Sequence, residues 1–152
     1  MNDARLHLDN QLCFALYAAS RAVTQAYQPL LAPLGVTYPQ YLVLLVLWEE
    51  RQASVKRLGE RLHLDSGTLT PLLRRMAARG LITRERSRVD ERVVEIGLTE
   101  TGEQLQEAAQ GVVTQLICLL GENINAIAAL RDALKTMTSQ VAPATIRKEA
   151  TP

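Results

Sequence analysis

The sequence has few of the residues that build metal centres, disulfide scaffolds or membrane anchors. Its only two cysteines, Cys13 and Cys118, stand near opposite ends of the chain. Its two histidines, His7 and His63, fall in no CxxC or HxxxH spacing, so no metal site is expected. His63, between two leucines ahead of a turn, reads as the last residue of a helix rather than as a ligand. The most apolar segment, YLVLLVLW at 41–48, is far too short to span a bilayer. The opening MNDARLHLDN lacks a basic region followed by an uninterrupted apolar run. A soluble cytoplasmic chain is expected, with no membrane partner, cofactor or metal. In that compartment the two thiols rest reduced, and a disulfide between them would be a transient, redox-sensing bond. There is no internal repeat or low-complexity tract, and 152 residues suit one domain with one core.

Net charge is also nearly absent, at +1, but it is segregated along the chain. Residues 51–95 hold eleven Lys/Arg against six Asp/Glu, whereas the flanks together hold six against ten. A basic centre between acidic ends suits a chain whose middle meets a polyanion.

Periodicity organises that middle. Leu12, Leu16, Ala19, Val23 and Ala26 predict a first helix, with Asp9 or Asn10 as N-cap and a stop at PLG (33–35). Thr37 and Gln40 have capping-box spacing, Pro39 lies in the first turn, and a very apolar helix follows to about Glu50. Ser54 caps VKRLGERLHL. Asp65 or Ser66 caps GTLTPLLRRMAARG, which ends at Gly80. The period then changes to two: LITRERS and RVVEIGL predict an antiparallel hairpin with a charged tip, RVDE at 88–91. Thr99 caps a long amphipathic helix carrying Leu105, Ala109, Val112, Val113, Leu116 and Leu120. Gly121 interrupts it, and a last helix carries Ile124, Ile127, Leu130, Leu134 and Met137. The tail, 141–152, is expected to be disordered.

Helix, short helix, turn, helix and hairpin is the order of a winged helix-turn-helix, in a mainly α fold with a small β wing. The core face of the recognition segment is Leu69, Leu72, Leu73 and Met76. The opposite side carries Ser66, Gly67, Thr68, Thr70, Pro71, Arg74 and Arg75. Small residues let backbone approach a groove floor. Hydroxyls and a helix N-terminus bind phosphates or base edges, and Arg pairs with guanine. The hairpin adds Arg84, Arg86 and Arg88, with Asp90 placed to hold Arg92. Basic side chains on a thin ribbon suit a minor groove.

Residues 54–102, with DSGTLTPLLRRM and DERVVEIGLTETG, resemble the winged-helix core of the MarR family of bacterial regulators, whose wing carries the D-x-R pair found here at Asp90 and Arg92. LDNQLCFALYAASR and YQPLLAPLGVTYPQYLVLLVLWE resemble one branch of it, the organic hydroperoxide-responsive OhrR repressors, over about residues 8–140. Pro71 is irregular for a helix interior but belongs to that branch's pattern. The resemblance implies a single MarR-type domain, with dimerisation helices at about 8–34 and 99–140 and the winged helix at about 38–98. It also implies a homodimer on pseudo-palindromic double-stranded operator DNA.

Placed one turn into the first helix, Cys13 meets the positive end of the helix dipole, which favours a nucleophilic thiolate. All four tyrosines, 17, 27, 38 and 41, lie in the first third of the chain. By the resemblance, Tyr27 and Tyr38 donate hydrogen bonds to the sensing sulfur, with Tyr17 a further candidate. Fourteen helical residues separate Cys13 from Tyr27, about 21 Å along a straight axis, so one site holding both needs two subunits. By the resemblance again, Cys13 is oxidised by an organic hydroperoxide, the inducer, and Cys118 of the second subunit resolves it as a disulfide that releases operator DNA. Two other readings stay open: a MarR-type regulator that binds a phenolic or antibiotic ligand non-covalently, and a thiol peroxidase with an incidental basic hairpin.

Overall fold

The computed structural model describes residues 3–121 and 123–141, in two units divided after Val113. In the first unit, two short 3-10 turns lead into α1 (Leu12–Leu31). The expected caps for this helix are elsewhere engaged: Asp9 and Asn10 belong to the second turn, and the Asn10 amide donates to the Ala4 carbonyl at 2.7 Å. Gln11 is therefore the N-cap residue. Its own amide donates backwards to the Arg5 and His7 carbonyls, and no side chain caps the helix. α1 carries Pro29 in its last turn and gives way to a 3-10 turn closed by Gly35 in the left-handed region (φ 65°).

α2 (Tyr38–Glu50) starts as expected: the Thr37 N–H donates to Gln40 Oε1 at 3.0 Å, and Pro39 sits in the first turn where no N–H is needed. It is the buried centre of the unit, contributing Tyr41, Val43, Leu44, Val46, Leu47 and Trp48 to the core. β1 (Gln52–Ser54) follows, then α3 (Val55–Leu62), whose first turn is capped by Ser54 Oγ accepting from the Arg57 N–H at 3.1 Å. His63 ends α3 in the left-handed region (φ 53°), as the sequence placed it. Its helix turns tightly at this point: a Cβ on Gly59 would stand 2.7 Å from the Leu64 carbonyl oxygen.

α4 (Ser66–Ala78) is capped by Asp65 and buries all four expected core residues, Leu69, Leu72, Leu73 and Met76. Gly80 (φ 69°) then releases the chain into β2 (Ile82–Arg86), which pairs antiparallel with β3 (Val94–Leu98). β1 adds to the other edge of β3, giving the order β1-β3-β2. This third strand was not expected, because three residues are too few to show a period of two. The order of helices and strands is a winged helix-turn-helix.

α5 (Glu100–Leu119) begins in the first unit, where Ala109 and Val112 are buried. Its end lies in the second unit, with Cys118 in the last turn, and Gly121 (φ 92°) interrupts the helical run as predicted. Asn123 Oδ1 accepts from the Ala126 N–H at 3.0 Å and caps α6 (Ile124–Val141), a helix without a single buried residue. Val141 is thus helical, and the rest of the expected tail lies outside the described residues. No single described helix is long and apolar enough to cross a membrane.

Candidate nucleic-acid interface and thiol site

The recognition helix presents a small, hydroxylated and basic surface. Ser66, Gly67, Thr68, Pro71, Arg74 and Arg75 are exposed, and Thr70 is half-buried. Asp65 organises the helix start: one carboxylate oxygen accepts from the Thr68 N–H at 2.9 Å and the other from the Thr68 hydroxyl at 3.0 Å. These bonds, the backbone one foremost, hold its carboxyl below the usual range. The Thr68 hydroxyl hydrogen is therefore committed to the cap, leaving only its lone pairs for an outside donor. Gly67 has a local reason, since a Cβ there would stand 2.9 Å from Asp65 Oδ1.

The wing separates its charges by face. Arg84 is paired across the strands with Ile96 and Arg86 with Val94, so both arginines share the sheet face of the buried Ile96. Glu85 and Glu95 oppose each other on the other face. Arg88 lies at the tip between the strands, exposed. The tip is closed by hydrogen bonds: the Ser87 N–H donates to the Val93 carbonyl at 2.8 Å, and the Arg86 guanidinium to the Glu91 carbonyl at 3.0 Å. Asp90 accepts from the Arg92 guanidinium at 3.1 and 3.3 Å and from its backbone N–H at 3.0 Å; the guanidinium foremost, then the backbone bond, keeps the carboxyl below its ordinary range. The sequence pairing of Asp90 with Arg92 is thus formed within the wing, with Arg92 itself exposed.

Cys13 is the second residue of α1, a position earlier in the helix than a cap at Asp9 or Asn10 gives it, and it is exposed. With no side chain capping α1, the N–H groups of its first turn are not taken up by a cap. Around Cys13, Leu12, Phe14 and Tyr17 are exposed, and Leu16 is half-buried; Leu31 is the only buried residue of α1. Cys118 is exposed as well.

Tyr27 and Tyr38, from α1 and α2, come together with ring centroids 4.7 Å apart. Tyr41 lies 5.8 Å from Tyr27 and is fully buried. Burial first, then the neighbouring phenols, pushes Tyr27 up to about 12, and burial also raises Tyr38 and Tyr41. The pair is therefore protonated, a donor of O–H hydrogens, over the whole physiological range. No buried side-chain nitrogen or oxygen among the described residues lacks a hydrogen-bond partner. Tyr17 stands apart, 59% exposed, with the Arg21 guanidinium 5.5 Å above its ring.

Three features were not read from the sequence. Tyr41 and Trp48 continue the aromatic cluster inward, with centroids 6.2 Å apart. The Trp48 indole N–H donates to the Gly102 carbonyl at 2.9 Å. Glu50, at the end of α2, accepts from Arg57 at 2.8 and 3.0 Å and from Arg61, which also reaches Glu49 at 2.7 Å, tying α3 to α2. The only sequence signal for the first two was that the aromatic residues are so few.

Comparison with known proteins places these features in context. Residues 25–109 match the family model described as transcriptional regulator SarA/Rot. The chain is 52% identical over 132 residues, 87% of its length, to the organic hydroperoxide resistance transcriptional regulator of Bacillus subtilis (strain 168), of which it covers 90%. Among solved structures, reduced AbfR bound to DNA superposes with a TM-score of 0.81 at 36% identity, over 94% of this chain and all of that one. AbfR, a Staphylococcus epidermidis protein, is also similar in its disulfide form, with a TM-score of 0.65 at 40% identity, over 86% of this chain and 91% of that one.

Proposed function

Because the chain belongs to the MarR/SarA family of transcriptional regulators, and within it to the organic hydroperoxide resistance regulators, we propose that it is a homodimeric, cytoplasmic repressor that leaves its operator when Cys13 is oxidised. A redox-sensing, DNA-binding regulator is the general function of these relatives, which sets the thiol peroxidase reading aside. The observation that carries the finer reading is the separation of the thiol from the phenols. Cys13 opens α1 and Tyr27 nearly closes it, about 21 Å further along the axis, while Tyr38 packs on Tyr27. A second subunit that brought its own Tyr27 and Tyr38 to Cys13 would complete the site and cover the exposed apolar start of α1.

The chemistry then runs in two steps. The Cys13 thiolate attacks the peroxide O–O bond; an S–O bond forms, the O–O bond breaks, and the leaving alkoxide takes a proton to become an alcohol. The hydroxyls of Tyr27 and Tyr38 hold the sulfur and its oxygen by donated hydrogen bonds. The Cys118 thiol of the second subunit next displaces the hydroxyl of the sulfenic acid, forming the disulfide and releasing water. Leu12, Phe14 and Tyr17 around the thiol favour an alkyl or lipid hydroperoxide over hydrogen peroxide. DNA is held by Ser66, Gly67, Thr68, Thr70, Arg74 and Arg75 in the major groove and by Arg84, Arg86, Arg88 and Arg92 of the wing, with Asp90 fixing Arg92.

The test is a non-reducing denaturing gel with intact mass and operator binding, before and after one equivalent of cumene hydroperoxide. The wild type should give a double-mass band, lost with dithiothreitol, and should release DNA. Cys13→Ser should bind DNA and ignore peroxide, and Cys118→Ser should stop at the single-chain oxidised form. A wild type that stays unmodified in mass overturns the reading and points to a non-covalent ligand.

A further inference from the structure

The aromatic cluster does not stop at the tyrosines. From Tyr38 it passes to Tyr27 at 4.7 Å, from Tyr27 to Tyr41 at 5.8 Å and from Tyr41 to the edge of Trp48 at 6.2 Å. Trp48, 8% exposed, then donates its indole N–H to the carbonyl of Gly102 in the first turn of α5, a buried bond between residues far apart in sequence.

That first turn is fastened just as closely to the end of the recognition helix. The Thr99 hydroxyl donates to the Gly80 carbonyl at 2.6 Å and accepts from the Gly102 N–H at 3.1 Å. The Thr99 N–H donates to the Leu81 carbonyl at 3.3 Å. Gly102 has no room for a side chain, since a Cβ would stand 2.1 Å from the Leu81 carbonyl oxygen. Gly80 and Leu81 are the residues by which α4 passes into β2. A turn held by this many directional bonds and by backbone contact has little slack: if it rotates, the end of α4 and the base of the wing rotate with it.

We propose that Trp48 is a positioning residue for operator release, the joint that links the Tyr27–Tyr38 pair to the first turn of α5 and so to the recognition helix. This rests on the proposed function, because Tyr27 and Tyr38 report the state of Cys13 only if they face it. The same helix, α5, carries Cys118 in its last turn. Removing the indole N–H while keeping an aromatic ring loosens the joint without emptying the core. The sensing chemistry continues, but less of it reaches the DNA-binding face.

The experiment compares wild type with Trp48→Phe in three readings: the rate of Cys13 oxidation by cumene hydroperoxide, the yield of the disulfide-linked dimer, and operator affinity of the reduced and oxidised forms. Trp48→Phe should oxidise and crosslink like wild type and, when reduced, bind operator within about threefold. Its loss of affinity on oxidation should be smaller than the wild-type loss by about tenfold. An unchanged ratio of oxidised to reduced affinity overturns the joint. A wild type that crosslinks and still holds its operator overturns the proposed function instead, and the joint with it.

Thr99→Val, which removes the bonds to Gly80 and Gly102, gives the same ratio from the α5 side if Trp48→Phe does not fold. Trp48 is also the only tryptophan, so its emission in the unmodified protein must change on oxidation. Unchanged emission overturns the proposal without any substitution.

Discussion

The rings of Tyr27 and Tyr38 lie 4.7 Å apart, one near the end of α1 and the other at the start of α2, with Tyr41 buried behind them. Three phenols in one place make ionisation of any of them costly, and burial adds most to that cost for Tyr27. The folded state thus holds the Tyr27 proton more tightly than the unfolded chain does. Its contribution to stability is complete below about pH 10 and is lost as pH rises through about 12. Alkaline unfolding followed by helical circular dichroism should show this fall, and Tyr27→Phe should remove part of its pH dependence while leaving stability at neutral pH little changed.

In the proposed site the same pair would donate hydrogen bonds to the Cys13 sulfur. Hydrogen bonds to a charged sulfur are worth about 1.5–3 kcal/mol each. Tyr27→Phe or Tyr38→Phe should therefore slow oxidation of Cys13 by roughly ten- to a hundredfold in stopped-flow thiol titration, with operator affinity of the reduced protein unchanged. If both variants oxidise at the wild-type rate, the phenols serve packing alone.

At the wing, Asp90 and Arg92 form a solvent-exposed pair, which water screens so that it adds little to stability. Asp90→Ala should leave the Tm almost unmoved. It removes a negative charge near DNA, which favours non-specific binding, but it frees the Arg92 fork from its set direction. The expected outcome is a lower ratio of operator to random-sequence affinity, measured at one salt concentration. Arg92→Ala should weaken operator binding by about 1–3 kcal/mol and lower the slope of log affinity on log salt by about one.

Much of this arrangement was readable in the residues. The recognition helix was fixed by a cap, a sharp apolar period and Gly80. The Asp90–Arg92 pair needed only two residues of separation on a turn. Where reading failed, competing local interactions explain it. Asn10 is as good a cap as Asp65, but it lies inside the second 3-10 turn with its Nδ2 donating back to the Ala4 carbonyl, and α1 starts at Leu12. β1 is three residues long and exists only because β3 offers it an edge. α2 is apolar on nearly every side, so a helical wheel could not point Tyr41 and Trp48 toward the phenols and α5 rather than elsewhere in the core. The Trp48–Gly102 bond spans 54 residues and no local pattern encodes it.

Two glycines of α5 should respond to alanine with opposite signs. Gly111 has nothing within 4 Å of an added Cβ, and glycine in a helix interior is worse than alanine by about 0.5–1 kcal/mol, so Gly111→Ala should raise stability by up to that amount. In Gly102→Ala the new methyl would meet the Leu81 carbonyl oxygen at 2.1 Å and the Leu98 side chain at 3.1 Å. The oxygen belongs to backbone that also accepts from the Thr99 N–H, so it cannot swing aside without breaking that bond. α5 must instead move off the recognition unit, stretching the Trp48 bond. A loss of about 3 kcal/mol or more is expected, a fall in Tm of roughly 10 °C for a chain of this size, with operator affinity falling alongside it. Thermal unfolding of the two variants side by side checks this directly. A Gly102→Ala protein as stable as wild type would mean that the first turn of α5 has room to move, and the tight junction between α5 and the recognition helix would have to be given up.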